Sequence, residues 1–442
     1  MIAVGIDIGK RQHEACFMDE AGHEIGPSLR FAHRRGGVRL LQERLDALPE
    51  SATVALEASG HYWIGLERWL RKGGIPVQVV NPLQVHAFRE AGIRRTKTDR
   101  RDAWVLADLL RIGRTRPNYV PNDTILQLRE LTRFRWGLID QIGGAKRRVL
   151  AVLDQVFPEF ADHFSDPFGV SARELLARGA SAADFAAIEL DELTALLEQA
   201  SRKRFGRKKA ESIAKSARES LGVPGLEPVA RLMVRSLLAQ IAHLETQVAE
   251  VDAVAAELLA GVEQHLTSIP GVGPVLAATI LAEIGDIDRF PRLTALVAYA
   301  GIDPSVFESG DFKGTRQHIS KRGSPYLRRA LYLATHSAQR QNTDLGDYLQ
   351  RKLREGKSYK VALVATSHKL LARMYVVLKE GRPFEVRSGE RRAHRKRREQ
   401  SEDLLSLLRT TSRGEARKGE HAAQRRARSS RPLRAEGAAA PS

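Results

Sequence analysis

The 442-residue chain has little cysteine, few aromatic residues and no long hydrophobic run. Cys16 is the only cysteine, which excludes a disulfide framework and a thiolate zinc site. No apolar run approaches the roughly 20 residues that span a bilayer. Met1 leads directly into an apolar strand pattern, without the features of a signal peptide. These absences predict a soluble, intracellular protein, and the length predicts two or three domains.

Acidic residues are also scarce relative to basic ones. The chain has 71 Lys and Arg residues against 53 Asp and Glu residues, which gives a net charge of +18 and a pI near 10.2. A surplus of this size favours polyanions, because phosphate contacts release condensed counterions. The composition therefore predicts a nucleic-acid partner.

Four carboxylates occupy positions that suggest a metal site. Asp7 follows the apolar run Ile2–Ile6, Glu57 follows Ala52–Leu56, and Asp99 and Asp102 are three residues apart in a helical segment. Oxygen ligands of this kind suit Mg²⁺ or Mn²⁺, which can clamp a phosphodiester during displacement. Single acids at strand ends and helix starts are usually turn or cap residues, and that reading stays open for Asp7 and Asp99. The four together predict a metal-dependent phosphoryl-transfer site.

The first segment, residues 1–113, has an α/β pattern of three strands followed by alternating helices and strands. This order of elements predicts a ribonuclease-H-like domain, which presents carboxylates on its central strands and final helix. The predicted elements are strands Ile2–Ile8, His13–Met18, Glu24–Phe31, Ala52–Leu56 and Pro76–Val80, and helices Gly37–Ala47, Tyr62–Arg71 and Asp102–Leu110.

Two stretches, 125–157 and 228–262, have apolar residues at heptad spacing. They predict long helices that pair along a seam, either antiparallel within one chain or as a coiled coil between chains. An ordinary amphipathic helix in a globular core is the alternative. The interval 158–224 is predicted to be a helical insertion, so the coiled-coil region as a whole is 125–262. A basic cluster in the insertion, residues 202–209, fits either phosphate contact or a solvated face.

The third region, 263–386, begins with the turn Pro270-Gly271-Val272-Gly273 before a predicted helix, Val275–Ile284. This turn resembles the helix-hairpin-helix element, in which loop amides and a helix N-terminus hold a DNA phosphate. Gly271 and Gly273 would let the backbone approach an anion. The Arg-rich remainder, 387–442, is predicted to be a disordered tail that attracts nucleic acid. The overall fold class is therefore α/β plus all-α.

Further basic residues are candidates for nucleic-acid contact. One group lies beside the acids of the first domain, and another follows the glycine turn in the third region. They are Arg94, Arg95, Lys97, Arg100, Arg101, Lys313, Lys321, Arg322, Arg328 and Arg329.

The motifs together resemble the insertion sequence 110 family, the bacterial DEDD transposases. The resemblance covers most of residues 1–380. In the first half it rests on Gly-Ile-Asp-Ile-Gly-Lys, Glu-Ala-Ser-Gly-His-Tyr, Val-Asn-Pro and Lys-Thr-Asp-Arg-Arg-Asp-Ala. In the second half it rests on Ile-Pro-Gly-Val-Gly, Ala-Tyr-Ala-Gly-Ile-Asp-Pro, Glu-Ser-Gly and Ser-Lys-Arg-Gly-Ser-Pro-Tyr-Leu-Arg-Arg-Ala-Leu.

The resemblance implies a RuvC-like metal site at Asp7, Glu57, Asp99 and Asp102, with Mg²⁺ or Mn²⁺ as the cofactor. It also implies that Ser309 is a nucleophile that joins the enzyme covalently to DNA. The implied partners are double-stranded DNA at element ends and target, a structured guide RNA, and further copies of the chain in a dimer or tetramer. The implied location is the bacterial cytoplasm, in association with the nucleoid.

Other readings remain. Actin-like kinases share the first Asp-x-Gly motif, but they need a duplicated domain that this chain lacks. A non-catalytic DNA-binding protein does not explain four acids near phosphates. The closest alternative is a RuvC-like endonuclease that resolves branched DNA by water attack and needs no serine. Ser305, Ser320 and Ser324 are the residues that could be confused with Ser309.

Overall fold

The structure is a computed structural model that describes residues 1–90, 98–305, 318–341 and 343–385, with the backbone alone at Thr343, Glu308–Ser309 and Phe312–Lys313. The chain divides into two compact units, Met1–Asn122 and Asp123–Ser442. Several predicted positions lie outside the described residues. They are Arg94, Arg95, Lys97, the side chains of Ser309 and Lys313, and the tail 387–442.

A five-stranded mixed sheet forms the centre of the first unit. Its spatial order is β3-β2-β1-β4-β5. β1 pairs antiparallel with β2, as β2 does with β3, whereas β1, β4 and β5 run parallel. The strands are β1 (Ile2–Ile8), β2 (Gln12–Met18), β3 (Leu29–Ala32), β4 (Ala52–Glu57) and β5 (Val77–Val80).

Helices cover both faces of this sheet, because its central strands are apolar on both sides. One face, which bears Val4 and Ile6, packs in a single core with α1 (Arg35–Asp46) and α2 (Trp63–Lys72). The other face, which bears Ala3 and Ala55, packs with the helices that follow β5. Those helices are α3 (Pro82–Glu90) and α4 (Asp99–Arg111).

Two elements of this unit differ from the sequence predictions. β3 starts at Leu29 rather than Glu24, because Gly26 has a φ of +72° and Pro27 has no amide hydrogen to pair. α3 was not predicted. Asn81 Oδ1 accepts the Leu83 amide at 2.9 Å and Pro82 fits the first helical turn, so the pair starts a helix.

Two long helices dominate the second unit: α5 (Asp123–Val156) and α10 (Glu227–Ala260). They pack antiparallel within the one chain. The Arg135 guanidinium bridges the Asp252 carboxylate with contacts of 2.5 and 3.0 Å, and the Val223 amide donates to the Gln155 carbonyl at the other end. A coiled-coil seam between chains stays a prediction.

The insertion between the long helices is helical, as predicted. It is organised on an aromatic cluster in which Phe157, Phe160 and Phe185 are fully buried and their rings lie 5.6–5.9 Å apart. This cluster shares one core with α5 and α10. The insertion contains a 3₁₀ turn (Pro158–His163), α6 (Val170–Arg178), α7 (Ala182–Ala186), α8 (Leu190–Ser201) and α9 (Arg207–Glu219).

The last region packs on the free ends of the long helices. Ile125 and Leu128 of α5 and Leu259 of α10 belong to the same core as the helices after residue 266. The predicted boundary near 262 therefore does not separate two cores. The elements are α11 (Pro274–Ile284), α12 (Leu293–Ala300), β6 (Glu308–Ser309), β7 (Phe312–Lys313), α13 (Pro325–Gln341), α14 (Thr343–Arg354) and α15 (Tyr359–Glu380).

α15 is long enough to span a membrane, although no apolar run of that length was recognised in the sequence. Among the described helices, it alone is long and apolar enough to cross a bilayer, with a mean hydropathy of 1.4 over its most apolar window. Leu370, Leu371 and Met374 are nevertheless fully buried in the core of the last region. This burial is typical of a core helix.

Candidate functional site

The sheet register places two of the four predicted acids side by side. Ile6 of β1 lies opposite Leu56 of β4 in a parallel pair. Asp7 and Glu57 follow these residues directly, so they lie on neighbouring strands at the same edge. Ala3 and Ala55 belong to the core under α4, and side chains alternate along a strand. Asp7 and Glu57 therefore share the face that α4 covers.

α4 brings the other two acids to the same edge. A Cβ atom on Gly5 would lie 2.1 Å from the Ala103 carbonyl oxygen and 2.3 Å from the Ala107 nitrogen, so β1 and α4 are in direct backbone contact here. Along β1, Asp7 lies beyond Gly5. Along α4, Asp99 and Asp102 lie just before Ala103, so the start of the helix and the end of the strand meet.

The pKa of Asp7 indicates that the four carboxylates interact electrostatically. Burial raises the pKa of Asp7 from 3.8 to about 6, and the charges of Asp102, Asp99 and Glu57 contribute to the rise in that order. Carboxylates held together in a partly buried place are a common feature of sites that bind cations or transfer protons. The structure thus brings Asp7, Glu57, Asp99 and Asp102 to one edge of the sheet.

Each of the other three acids has a partner of its own. Arg89 Nη1 of α3 donates to Asp102 Oδ1 at 3.1 Å, and the Ser59 hydroxyl donates to Glu57 at 2.6 Å. Arg30 lies 3.9 Å from Asp99. Among the described residues, no three acidic, histidine or cysteine side chains stand close enough to hold a metal ion. The acids are therefore neighbours whose side chains would have to turn inward around a cation.

α4 begins at Asp99, and its N-cap is Thr98, whose hydroxyl accepts a hydrogen bond from the Arg101 amide at 3.2 Å. Asp99 is thus not the cap, so its carboxylate is not used to cap the helix. The Arg100 guanidinium donates to Glu24 at 3.0 Å, and the Arg101 guanidinium stacks on the Trp104 ring at 4.2 Å. Both arginines are exposed at the start of the acid-bearing helix.

Ser309 lies in a short hairpin of the second unit that the sequence did not predict. The backbone of Ser309 pairs with Phe312, and Glu308 pairs with Lys313. Outside these pairs, Pro304 forms an isolated bridge with Ile319. Ser309–Phe312 is therefore the inner of the two described pairs.

The three other serines near Ser309 are engaged elsewhere. Ser305 donates to the His318 carbonyl at 2.7 Å, and Ser320 donates to Asp303 at 2.5 Å. Ser324 is buried and donates to Glu283 at 2.7 Å. None of these three hydroxyls is available to a substrate without breaking a bond.

A basic loop follows the bridge between Pro304 and Ile319. Gly301 and Gly323 let this loop pass the end of α12, because a Cβ atom at either would lie 2.1–2.3 Å from a facing carbonyl oxygen. Lys321 has a φ of +53°, which is unusual for a residue other than glycine. Lys321 and Arg322 are exposed. The loop thus presents two exposed cations next to the Pro304–Ile319 bridge.

Four other predicted nucleic-acid residues have structural surroundings that the sequence did not reveal. A Cβ atom on Gly271 would lie 2.4 Å from Ala338 Cα, so this glycine permits close packing against α13. Gly273 is open and precedes α11. Arg328 donates to the Ala300 carbonyl at 3.3 Å. Arg329 bridges Asp140 at 2.8 and 3.1 Å and stacks on Trp136 at 4.2 Å.

Sequence reasoning missed Glu283, a fully buried carboxylate in α11. It accepts from Arg133 of α5 at 2.7 and 3.1 Å and from Ser324 at 2.7 Å. Arg129 lies beside the pair, and burial lowers its pKa. A charged residue inside the apolar run Val275–Ile284 was the signal available in the sequence. Glu283 fixes the start of α13, and with it one end of the basic loop.

A mixed sheet with acids on two central strands and on a packed helix is consistent with a DEDD nuclease-like enzyme. A family model for DEDD transposases of the IS110 type matches residues 4–158. A second model, described as the IS116/IS110/IS902 transposase family, matches residues 263–350. Together the two models cover more than half of the chain.

Named relatives agree with these matches. The putative mini-circle transposase for IS117 of Streptomyces coelicolor is 28% identical over 69% of this chain and 77% of its own. The pilin gene-inverting protein of Moraxella bovis is 25% identical over 88% and 98%. The transposase of IS1111A from Coxiella burnetii is 25% identical over 83% and 86%. The chain belongs to the IS110 family of transposases, enzymes that cut and rejoin DNA.

Proposed function

We propose that this transposase uses the four acids as a divalent-metal site and Ser309 as its nucleophile. The observation that carries the proposal is the convergence of β1, β4 and α4 around Asp7 and Glu57. Burial raises the pKa of Asp7, and the charges of Asp102, Asp99 and Glu57 raise it further. Such mutual repulsion destabilises the ionised cluster unless a cation neutralises it. We infer a ribonuclease-H-like, RuvC-like fold from the same arrangement.

Mg²⁺ or Mn²⁺ fits this donor set, because hard divalent cations prefer carboxylate oxygens. Asp7, Glu57, Asp99 and Asp102 would hold the ion. When bound, the ion would neutralise charge on the phosphodiester and favour ionisation of the attacking hydroxyl. Arg89 would leave Asp102 as this happens and remain available to the phosphate.

The Ser309 hydroxyl would attack the phosphorus of one strand. A Ser309–phosphorus ester forms, the bond from phosphorus to one sugar oxygen breaks, and that oxygen leaves with a proton. The serine proton passes to the acidic site. A DNA hydroxyl later attacks the same phosphorus and frees Ser309, so cutting and rejoining need no external energy source.

Two observations support Ser309 in this role. The hydroxyls of its three neighbouring serines are hydrogen-bonded elsewhere, and the exposed Lys321 and Arg322 follow the Pro304–Ile319 bridge, in the segment after its hairpin. Cations there would stabilise the extra negative charge on a pentacoordinate phosphorus. Ser309 and the acids would act on one phosphodiester, within one chain or between subunits of a homo-oligomer.

The partners in this proposal are double-stranded DNA and a structured guide RNA. The positive charge supports both. The open Gly273 at the start of α11 supports a helix-hairpin-helix-like phosphate contact. Binding in the bacterial cytoplasm to nucleoid DNA follows from the same reading.

The test separates cleavage from binding. Single substitutions Asp7→Asn, Glu57→Gln, Asp99→Asn and Asp102→Asn should each lower strand cleavage at least about 100-fold. DNA affinity should change little, because the metal acts mainly in the transition state. Asp108→Asn is a matched control on α4, since that carboxylate bonds to Arg111 at 2.6 Å. Full activity in two of the four variants would refute a shared site.

A further inference from the structure

The helical insertion contains a cleft that neither the acidic site nor the Ser309 hairpin uses. It has a volume of about 430 Å³ and lies between the start of α6 and the turn that joins α8 to α9. This volume is in the range of sites that hold a nucleotide-sized ligand. Its lining includes Phe164, Gly169, Ser171, Arg202, Arg204 and Phe205.

Two half-buried aromatic rings form one wall. The rings of Phe164 and Phe205 lie 6.1 Å apart at an interplanar angle of 70°. The Lys209 ammonium lies 5.5 Å from the first ring and 5.8 Å from the second, and the Arg204 guanidinium lies 5.2 Å from Phe205. Aromatic faces flanked by cations are the usual platform for a nucleic-acid base and its phosphate.

The turn after α8 is basic and strained, and it lines the cleft through Arg202, which Lys203 follows. Arg202 and Lys203 have φ angles of +53° and +63°, and both side chains belong to exposed residues. Their amides donate to the Gln199 and Glu198 carbonyls, which fixes the turn at the end of α8. Glycine would adopt this backbone without strain. Two basic residues in consecutive strained positions are better explained by what they contact than by folding.

The floor of the cleft also suits an anion. Gly169 precedes α6 without any side-chain cap, so the first backbone amides of that helix point outward. Asp166 lines the cleft as well, but its Oδ1 already accepts the Phe168 amide at 2.9 Å.

We propose that this cleft binds single-stranded nucleic acid, with an unpaired base stacked on Phe164 and Phe205 and its phosphates beside Arg202 and Arg204. The exposed Lys203, between these two arginines in the turn, would contact the phosphate that follows. Stacking requires an exposed base face, which a duplex does not offer. The ligand chemistry is common to a displaced DNA strand and to an RNA strand. The site is separate from the proposed cleavage chemistry and can be tested without it.

The decisive variant is Arg202→Gly/Lys203→Gly in the full chain. It should bind a 12-nucleotide oligo-U about 10-fold more weakly, and the slope of log affinity against log salt should fall by roughly 1.4 for two lost contacts. Its melting temperature should stay the same or rise, because the strain is relieved. The matched control, Lys215→Ala/Arg218→Ala, removes the same charge from exposed positions of α9 that lie outside both the basic turn and the cleft lining.

Aromatic variants and crosslinking locate the base. Phe164→Leu and Phe205→Leu should each weaken oligo-U binding about 5-fold or more, with a melting temperature measured for each. Photocrosslinking of 5-iodouridine RNA should attach to peptides that contain Phe164 or Phe205. Parallel assays with oligo-dT and duplex DNA identify the source of the strand. Stronger binding of RNA would indicate an RNA strand, and equal binding would indicate either strand.

Three results would overturn the proposal. One is affinity of the double-glycine variant within 2-fold of the control variant. Another is crosslinks that map only outside the insertion. The third is a loss of duplex binding as large as the loss of single-strand binding. Failure here would leave the cleavage and adduct assays of the acidic site and Ser309 unaffected.

Discussion

Replacing Asp7 by asparagine should make the metal-free protein more stable while it removes activity. The pKa of Asp7 is about 6 in the folded protein, against an ordinary value of 3.8, a difference of roughly 2 pKa units. Each unit corresponds to 1.36 kcal/mol, so ionised Asp7 costs about 3 kcal/mol of the free energy of unfolding at most. Because Asp7 has some contact with solvent, we expect the cost of its ionisation to lie within about 1–3 kcal/mol.

The pH dependence gives the sign. Because folding raises this pKa, the destabilisation is fully present above pH 6 and absent below pH 3.8. In EDTA at pH 8, Asp7→Asn should therefore unfold at a higher denaturant concentration than the native protein. The advantage should shrink as pH falls from 6 towards 4. Chemical unfolding followed by the fluorescence of Trp63, Trp69 and Trp104, which lie in the first unit, measures this difference.

Metal and a control variant complete the assay. Mg²⁺ or Mn²⁺ should stabilise the native protein, because a ligand that binds only the folded state stabilises it. The ion should have little effect on Asp7→Asn, which lacks one of the proposed ligands. Asp46→Asn, on an exposed position of α1, should show neither effect. If Asp7→Asn is no more stable than the native protein at pH 8, the four carboxylates do not repel one another in the folded protein.

Three further outcomes follow from the packing and the charge. Gly5→Ala should lower the free energy of unfolding by roughly 1–3 kcal/mol and reduce cleavage, because the added Cβ would push α4 away from β1. Gly65→Ala adds a Cβ in open space and should not destabilise the protein. Equal melting temperatures for the two variants would contradict this. Glu283→Ala should cost roughly 2–3 kcal/mol, because it leaves the partly buried Arg133 without its partner, and an unchanged denaturation midpoint would contradict it. Deleting 387–442 should weaken duplex binding and reduce its salt slope without affecting cleavage at saturating DNA, and a loss of cleavage would contradict an accessory tail.

Local patterns predicted the parts of the fold that depend on near neighbours in sequence. Asp7 and Glu57 end apolar runs that form β1 and β4, and their shared edge follows from parallel pairing. Heptad spacing predicted α5 and α10 to within a few residues. α3 was missed because Asn81-Pro82 was interpreted only as a strand end, although the same pair caps a helix.

Contacts between distant segments could not be predicted in this way. The close packing of Gly271 against Ala338 of α13 was not predicted, and its phosphate contact stays a prediction. The partners of Glu283 come from α5 and the start of α13, and no local pattern links them to α11. Arg89 belongs to the helix that was not predicted, so its bond to Asp102 was also missed.

The most direct test of the proposed mechanism is the site of covalent attachment to DNA. The native protein, incubated with metal and element-end DNA and then denatured, should contain a protein–DNA adduct whose phosphate maps to Ser309 by peptide mass. Ser309→Ala should bind DNA and form no adduct. Ser305→Ala should still form one, because the Ser305 hydroxyl donates a hydrogen bond to the His318 carbonyl and is not the nucleophile. Attachment at another residue, or cleavage with no adduct at any time, would contradict the serine mechanism and favour an endonuclease that uses water.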